Sequence, residues 1–238
     1  MAETGHAKNV ANFQQMIAYV TGYGVAYDPS NTAIELTALQ TKLTEANGSL
    51  DDVTDELAPW KVAVNERETA FAGIRALTTR VVNSFAASGA EANAVDDAKT
   101  FKRKIDGKRA EALVDDPNTP EDESQGNSVS QQSYTQLVEH LDGLIEILQA
   151  NPVYNPNENE LKTLSLVTYS TDLKAKNAAV ADTIVPLSNS RIARDGVLYH
   201  DKTGLVALAD LVKKYVKSLF GADSPQFEQL SGLKFTTP

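Results

Sequence analysis

Two asparagine-x-arginine stretches, Asn65-Glu66-Arg67 and Asn189-Ser190-Arg191, are the residues of this 238-residue chain best suited to binding chemistry. A guanidinium presents a planar fork of donors that matches carboxylate and phosphate, and an amide two residues away adds both a donor and an acceptor. Arg67 also falls on an apolar stripe described below. An unpaired guanidinium there is costly, so it calls for a buried partner or a bound anion. Asn177 occupies a similar slot in the second half. Two roles fit. The plainer is a polar network that fixes helix register, as single polar residues do in coiled-coil seams. The functional one is a pair of pseudo-equivalent anion or ligand pockets built around Arg67 and Arg191, with Asn65 and Asn189 beside them.

A nucleophile is offered by Asp201-Lys202-Thr203-Gly204. The tetrapeptide resembles the start of the phosphorylated-aspartate motif of P-type ATPases, which implies a phosphoryl-accepting Asp201 at the end of a strand in an α/β domain. The resemblance covers four residues. That family continues with threonine, leucine and threonine where this chain has Leu205, Val206 and Ala207, and no α/β pattern surrounds it. A polar turn ahead of a helix, capped by Asp201 or Thr203, explains the same residues.

His6, His140 and His200 stand apart, in neither a Glu-x-x-His nor a His-Glu-x-x-His arrangement, so di-iron and zinc-protease spacings are absent. His140, near Glu139 and Asp142, reads as part of a solvated helix face. There is no cysteine, which excludes disulfides and thiolate chemistry, and no glycine-rich phosphate loop or nucleophile elbow. Nothing in these spacings asks for a metal or a cofactor, and the chain leans away from being an enzyme.

Lys and Arg number 22 against 32 Asp and Glu, a net charge of −10 that opposes docking on nucleic acid or anionic lipid. The basic run Lys99, Lys102, Arg103, Lys104, Lys108 and Arg109 reads as a solvated helix beside its own counter-charges. No run of about 18 apolar residues occurs, and no helix pairs a basic face with a strongly apolar one. The opening MAETGHAKNVANFQQ lacks the basic lead and apolar core of a secretion signal, so a cytoplasmic protein without membrane contact is expected.

The elements that must hold these groups are helices. Leu36, Leu39, Leu43, Ala46, Leu50, Val53, Leu57, Trp60 and Val64, then Phe71, Ile74, Val81 and Phe85, recur at steps of three and four that line one helix face. Pro59 predicts a kink or a new first turn and Asn47-Gly48-Ser49 offers a break, but a stripe that keeps its phase across both suggests one long, bent helix, with a break at 47–49 as the alternative. In the second half, stripes at Leu137 to Leu148, Leu166 to Leu187 and Leu205 to Leu219 predict three more helices.

The chain also repeats itself. Tyr27-Asp28-Pro29 with Glu35-Leu36-Thr37-Ala38-Leu39 has a counterpart in Tyr154-Asn155-Pro156 with Glu160-Leu161-Lys162-Thr163-Leu164. Both Asx-Pro pairs suit an N-cap followed by proline at the first helical position. A loop at 194–204 in the second copy accounts for later drift in spacing. Between the copies, residues 115–128 carry no apolar side chain and read as a flexible acidic linker. The expected architecture is all-α: a tandem duplication of a roughly three-helix unit, residues 1–114 and 129–238, packed as a pseudo-twofold bundle. The expected function is a non-catalytic binding or scaffold protein acting on a protein partner or on its own copies. The alternative is a small-molecule or anion-binding protein, or an enzyme, with its pocket between the repeats.

Overall fold

Every regular element among the described residues is helical, as steps of three and four between apolar residues require. The computed structural model describes residues 3–108 and 132–238, and no strand occurs among them. In chain order the α-helices are α1 (Glu3–Gly22), α2 (Leu36–Phe71), α3 (Ile74–Ala87), α4 (Ala92–Asp106), α5 (Tyr134–Ala150), α6 (Thr163–Tyr199), α7 (Leu205–Phe220) and α8 (Pro225–Ser231). Short 3-10 turns at Thr32–Ile34 and Asn159–Leu161 lead into α2 and α6. The acidic stretch at 115–128 lies outside the described residues. None of the described helices is long and apolar enough to cross a membrane.

Contacts gather the chain into two compact units, Met1–Trp60 with Thr183–Pro238, and Lys61–Asp182. These bounds differ from the halves that the order of sequence landmarks suggests. The reason is packing: α1 meets α7 and α8, far along the chain, while α4 meets α5.

In the first unit α1 turns Val10, Phe13, Ile17 and Val20 inward, onto Leu208, Val212 and Val216 of α7 and onto Leu230 of α8. Leu39 and Ala46 of α2 join the same core. In the second unit α5 carries Leu137, Leu141, Leu144 and Leu148 into a core shared with Val81 and Phe85 of α3, and with Ala98 and Ile105 of α4. Helix α5 is started by Ser133, whose hydroxyl accepts from the Gln136 N–H at 3.2 Å. Helix α4 is stopped by Gly107 in the left-handed region at φ 73°, its N–H reaching the Arg103 and Lys104 carbonyls.

One alternative is decided and two local expectations fail, each for an identifiable reason. Helix α2 runs unbroken through Asn47-Gly48-Ser49, because Ala46, Ser49 and Val53 are buried and the Ser49 hydroxyl donates back to the Ala46 carbonyl at 2.8 Å. It also passes through exposed Pro59, as α6 does through exposed Pro186, so each proline removes a bond on a wet face. The stripe breaks instead after Phe71, where Ala72-Gly73 separate α2 from α3. The Asx-Pro pairs do not start helices. They precede the 3-10 turns, in segments pinned by the Tyr27 hydroxyl donating to the Ile34 carbonyl and the Tyr154 hydroxyl to the Leu161 carbonyl, each at 2.7 Å. The loop expected at 194–204 shrinks to residues 200–204, since α6 continues to Tyr199.

Candidate functional sites

The four residues singled out by sequence fall into two pairs. Asn65 and Arg67 lie on the part of α2 in the second unit, while Asn189 and Arg191 lie on the part of α6 in the first. Asn65 and Asn189 are exposed, and both arginines are half-buried.

Arg67 is ion-paired with no carboxylate among the described residues. Its guanidinium stacks over the Tyr134 ring, 4.1 Å from the centroid, while its buried Nε makes no hydrogen bond. An aromatic face attracts a guanidinium through its quadrupole and costs it little desolvation, so stacking takes the part of the missing partner. Tyr134 is itself fixed edge-on against Phe71, with centroids 4.7 Å apart.

On another face of α2 the second unit opens a groove of about 430 Å³ lined by Val62, Asn65, Glu66, Thr69, Ala70 and Lys176. The Glu66 carboxylate accepts from Lys176 Nζ at 3.0 Å, and this hydrogen bond, then the carboxylate charge, raises the lysine pKa. The Tyr169 hydroxyl donates to the Ala70 carbonyl at 2.7 Å, and burial raises its pKa. Asn177 Oδ1 is buried without a hydrogen-bond partner. The groove thus offers an apolar floor with one ion pair at its edge. That arrangement suits weak amphiphilic binding better than acid-base chemistry.

The Asp201 tetrapeptide is a turn and not a nucleophile cradle. Gly204, rather than Asp201 or Thr203, is the N-cap of α7, and no side chain caps that end. The His200 ring closes the turn, its Nδ1 3.4 Å from the N–H groups of Lys202 and Thr203. A Cβ at Gly204 would lie 2.5 Å from the His200 nitrogen and 2.7 Å from its carbonyl oxygen, which explains the glycine sterically.

His140 is not on a solvated face. It is 8% exposed, packed near Phe101, and its Nε2 has no hydrogen-bond partner. Burial, then the nearby Lys104 charge, lowers its pKa, against a smaller opposing pull from Glu139. In the basic run, Lys99 pairs with Asp96 at 2.8 Å, and both Lys102 and Lys108 pair with Asp106. Arg109 lies outside the described residues. No group of three or more histidine, aspartate or glutamate side chains placed to hold a metal ion occurs among the described residues.

A polar cluster that sequence reading missed lies on α1. His6 Nδ1 sits 2.7 Å from the Tyr199 hydroxyl, and Asn9 Nδ2 donates to the same oxygen at 3.2 Å. Asn9 and Asn12 also hold residues 234 and 236. The available signal was the spacing of His6, Asn9 and Asn12 at steps of three, a polar line on a helix otherwise read from its apolar residues. Comparison of the chain with protein-family models, with curated proteins and with solved structures finds no match.

Proposed function

We propose that the chain is a non-catalytic helical binding or scaffold protein that engages a protein partner or its own copies through helix surfaces. The observation that carries this reading is the apolar exposure on α6. In the second unit Leu164 is 77% exposed and Val167 lies one turn along on the same face. In the first unit Val185 and Ile192, the latter 67% exposed, lie two turns apart on one stripe. Isolated apolar residues on a surface are ordinary, whereas aligned ones favour a partner. Sedimentation of the intact chain over a concentration series, compared with a V185K/I192K variant, tests the reading. An associated or partner-bound species that the variant loses supports it. A monomer at every concentration that recovers no partner, with no change in the variant, removes it.

The repeated stretches are read as an internal duplication of a helical unit. Supporting this, the two tyrosine-to-carbonyl bonds span seven residues each. Each closes over a 3-10 turn and is followed by a long helix with an interior proline, and Pro186 follows Pro59 by the same distance as Tyr154 follows Tyr27. The buried series Ile74, Thr78, Val81 and Phe85 of α3 has the spacing of Leu205, Ala209, Val212 and Val216 in α7.

A second reading, a small-molecule or anion-binding protein, draws on the groove beside Asn65 and the unsatisfied Arg67 Nε. Thermal stabilisation by a carboxylate or phosphate compound that Arg67→Met abolishes would promote it. Unchanged stabilisation in that variant would sink the part assigned to Arg67.

A further inference from the structure

Three side chains of α1 and α7 address the main chain of residues 233–236. Asn9, 1% exposed, accepts from the Thr236 N–H at 3.0 Å and donates to the Thr236 carbonyl at 2.7 Å. Asn12 donates to the Lys234 carbonyl and Lys213 Nζ to the Leu233 carbonyl, both at 2.6 Å. Leu233 is buried, Lys234 exposed, Phe235 half-buried and Thr236 exposed, the in-and-out alternation of an extended segment. Phe235 lies under the Lys213 ammonium, 5.2 Å from ring centroid to Nζ. The nearest backbone-to-backbone bond, from the Leu233 N–H to the Leu230 carbonyl at 3.2 Å, belongs to the end of α8.

This is recognition of a backbone, with selectivity left to a leucine and an aromatic residue two positions on. Such a groove is indifferent to which chain supplies the segment. It is not indifferent to being empty: removal of the segment leaves the Asn9 amide, buried among helices, short of two of its partners. Exchange restores every bond that detachment breaks, and a second copy of the chain carries the fitting segment by construction. Gly232, exposed, is the C-cap of α8, its N–H reaching the Glu228 and Leu230 carbonyls, so the helix ends just before the segment.

We propose that the α1/α7 groove takes the Leu233–Thr236 segment of a second copy, so that copies associate by reciprocal exchange. The proposal deepens the self-association reading given above and rests on it, naming the segment and the groove. Reciprocal exchange closes a pair with two identical contacts.

Mixing two full-length variants tests it. One, L233D/F235D, has a disabled segment and a free groove; the other, N12A/K213M, has a weakened groove and a native segment, with buried Asn9 left in place. The mixture is expected to give a one-to-one complex by analytical ultracentrifugation that neither variant forms alone. A labelled peptide of residues 230–238 is expected to bind L233D/F235D at least about tenfold more tightly than the intact chain, whose groove is filled in cis, and to block the complex. Absence of a complex, with both variants retaining native helicity and melting temperature, overturns the proposal. Peptide binding without a complex overturns the second copy as occupant. Should L233D/F235D fail to fold, F235A, altered at a half-buried position, takes its place in the mixture. Because V185K/I192K leaves groove and segment intact, it still exchanges, and failure of the α6 surfaces is read separately from failure of exchange.

Discussion

In the first unit His6 is buried with its Nδ1 against the Tyr199 hydroxyl, which Asn9 also engages. In the second, His140 is buried with Nε2 facing no hydrogen-bond partner and Lys104 nearby. One unit builds its buried histidine into a hydrogen-bonded network, while the other leaves the Nε2 of its buried histidine unpaired near Phe101. The tyrosine anchors point the other way. Tyr27 and Tyr154 make the same bond to the same relative carbonyl, against the Tyr215 ring in one unit and the Phe85 ring in the other. Burial leads in raising both phenol pKa values, that of Tyr154 to about 12. The units share the device that positions a loop and differ in how they treat a buried histidine.

The largest expected contrast lies at two helix starts. Gly73 and Gly204 are N-caps of α3 and α7, but a Cβ meets nothing within 4 Å at Gly73 and runs into backbone at Gly204. Gly204→Ala is expected to cost about 3 kcal/mol in urea denaturation, and Gly73→Ala less than about 1. Equal costs would break the contrast.

Next come the anchors. Tyr27→Phe and Tyr154→Phe each strand a buried carbonyl and are expected to cost about 1 to 3 kcal/mol, the two values agreeing within about 0.5. A large difference would show that the matched bonds do unmatched work.

The histidines separate the units by pH. A folded pKa below the ordinary 6.5 means that the unfolded chain takes up the proton first. Stability is therefore full above pH 6.5, declines as pH falls below it, and levels off beneath the folded pKa. The slope contributed by His140 is at most about 1.4 kcal/mol per pH unit. Native-state hydrogen exchange is expected to show α5 amides losing protection in that window, and His140→Leu removing the effect. Protection that stays flat in the parent chain would refute the assignment.

The smallest effect is at Arg67. Methionine there gives up the stacking on Tyr134 and relieves the unsatisfied Nε, so Arg67→Met is expected to change stability by less than about 1 kcal/mol. A loss of several kcal/mol would reveal a buried partner.

Periodicity made most helices legible, because burial of one face leaves a step of three and four wherever the helix lies. The stripe from Leu36 to Val64 is α2, and the stripe from Leu205 to Leu219 is α7. Boundaries were harder. Gly48 looks like a stop and is not one, since burial of Ala46 and Val53 outweighs about 1 kcal/mol of glycine propensity. Gly73 stands at a real break that the stripe hides by staying in phase. Helix α8 leaves no periodic signal, being a single short run with one buried leucine, Leu230. For the candidate sites, the type of Arg67 was informative but its partner was not, because nothing in sequence places Tyr134 against it. His140 went astray for the same reason: its acidic neighbours along the chain suggest solvent, and the helix α4 that buries it comes from elsewhere.

That the first unit draws on Met1–Trp60 and Thr183–Pro238 has a consequence during synthesis. Phe13, Met16 and Leu39 emerge from the ribosome early, yet their partners Leu208, Val212 and Leu230 follow only after all of Lys61–Asp182 has been made. At roughly 5 to 20 residues per second the wait lasts many seconds. The contiguous second unit has its whole sequence in hand during that time, while the faces of α1 and α2 that meet α7 and α8 must wait for them.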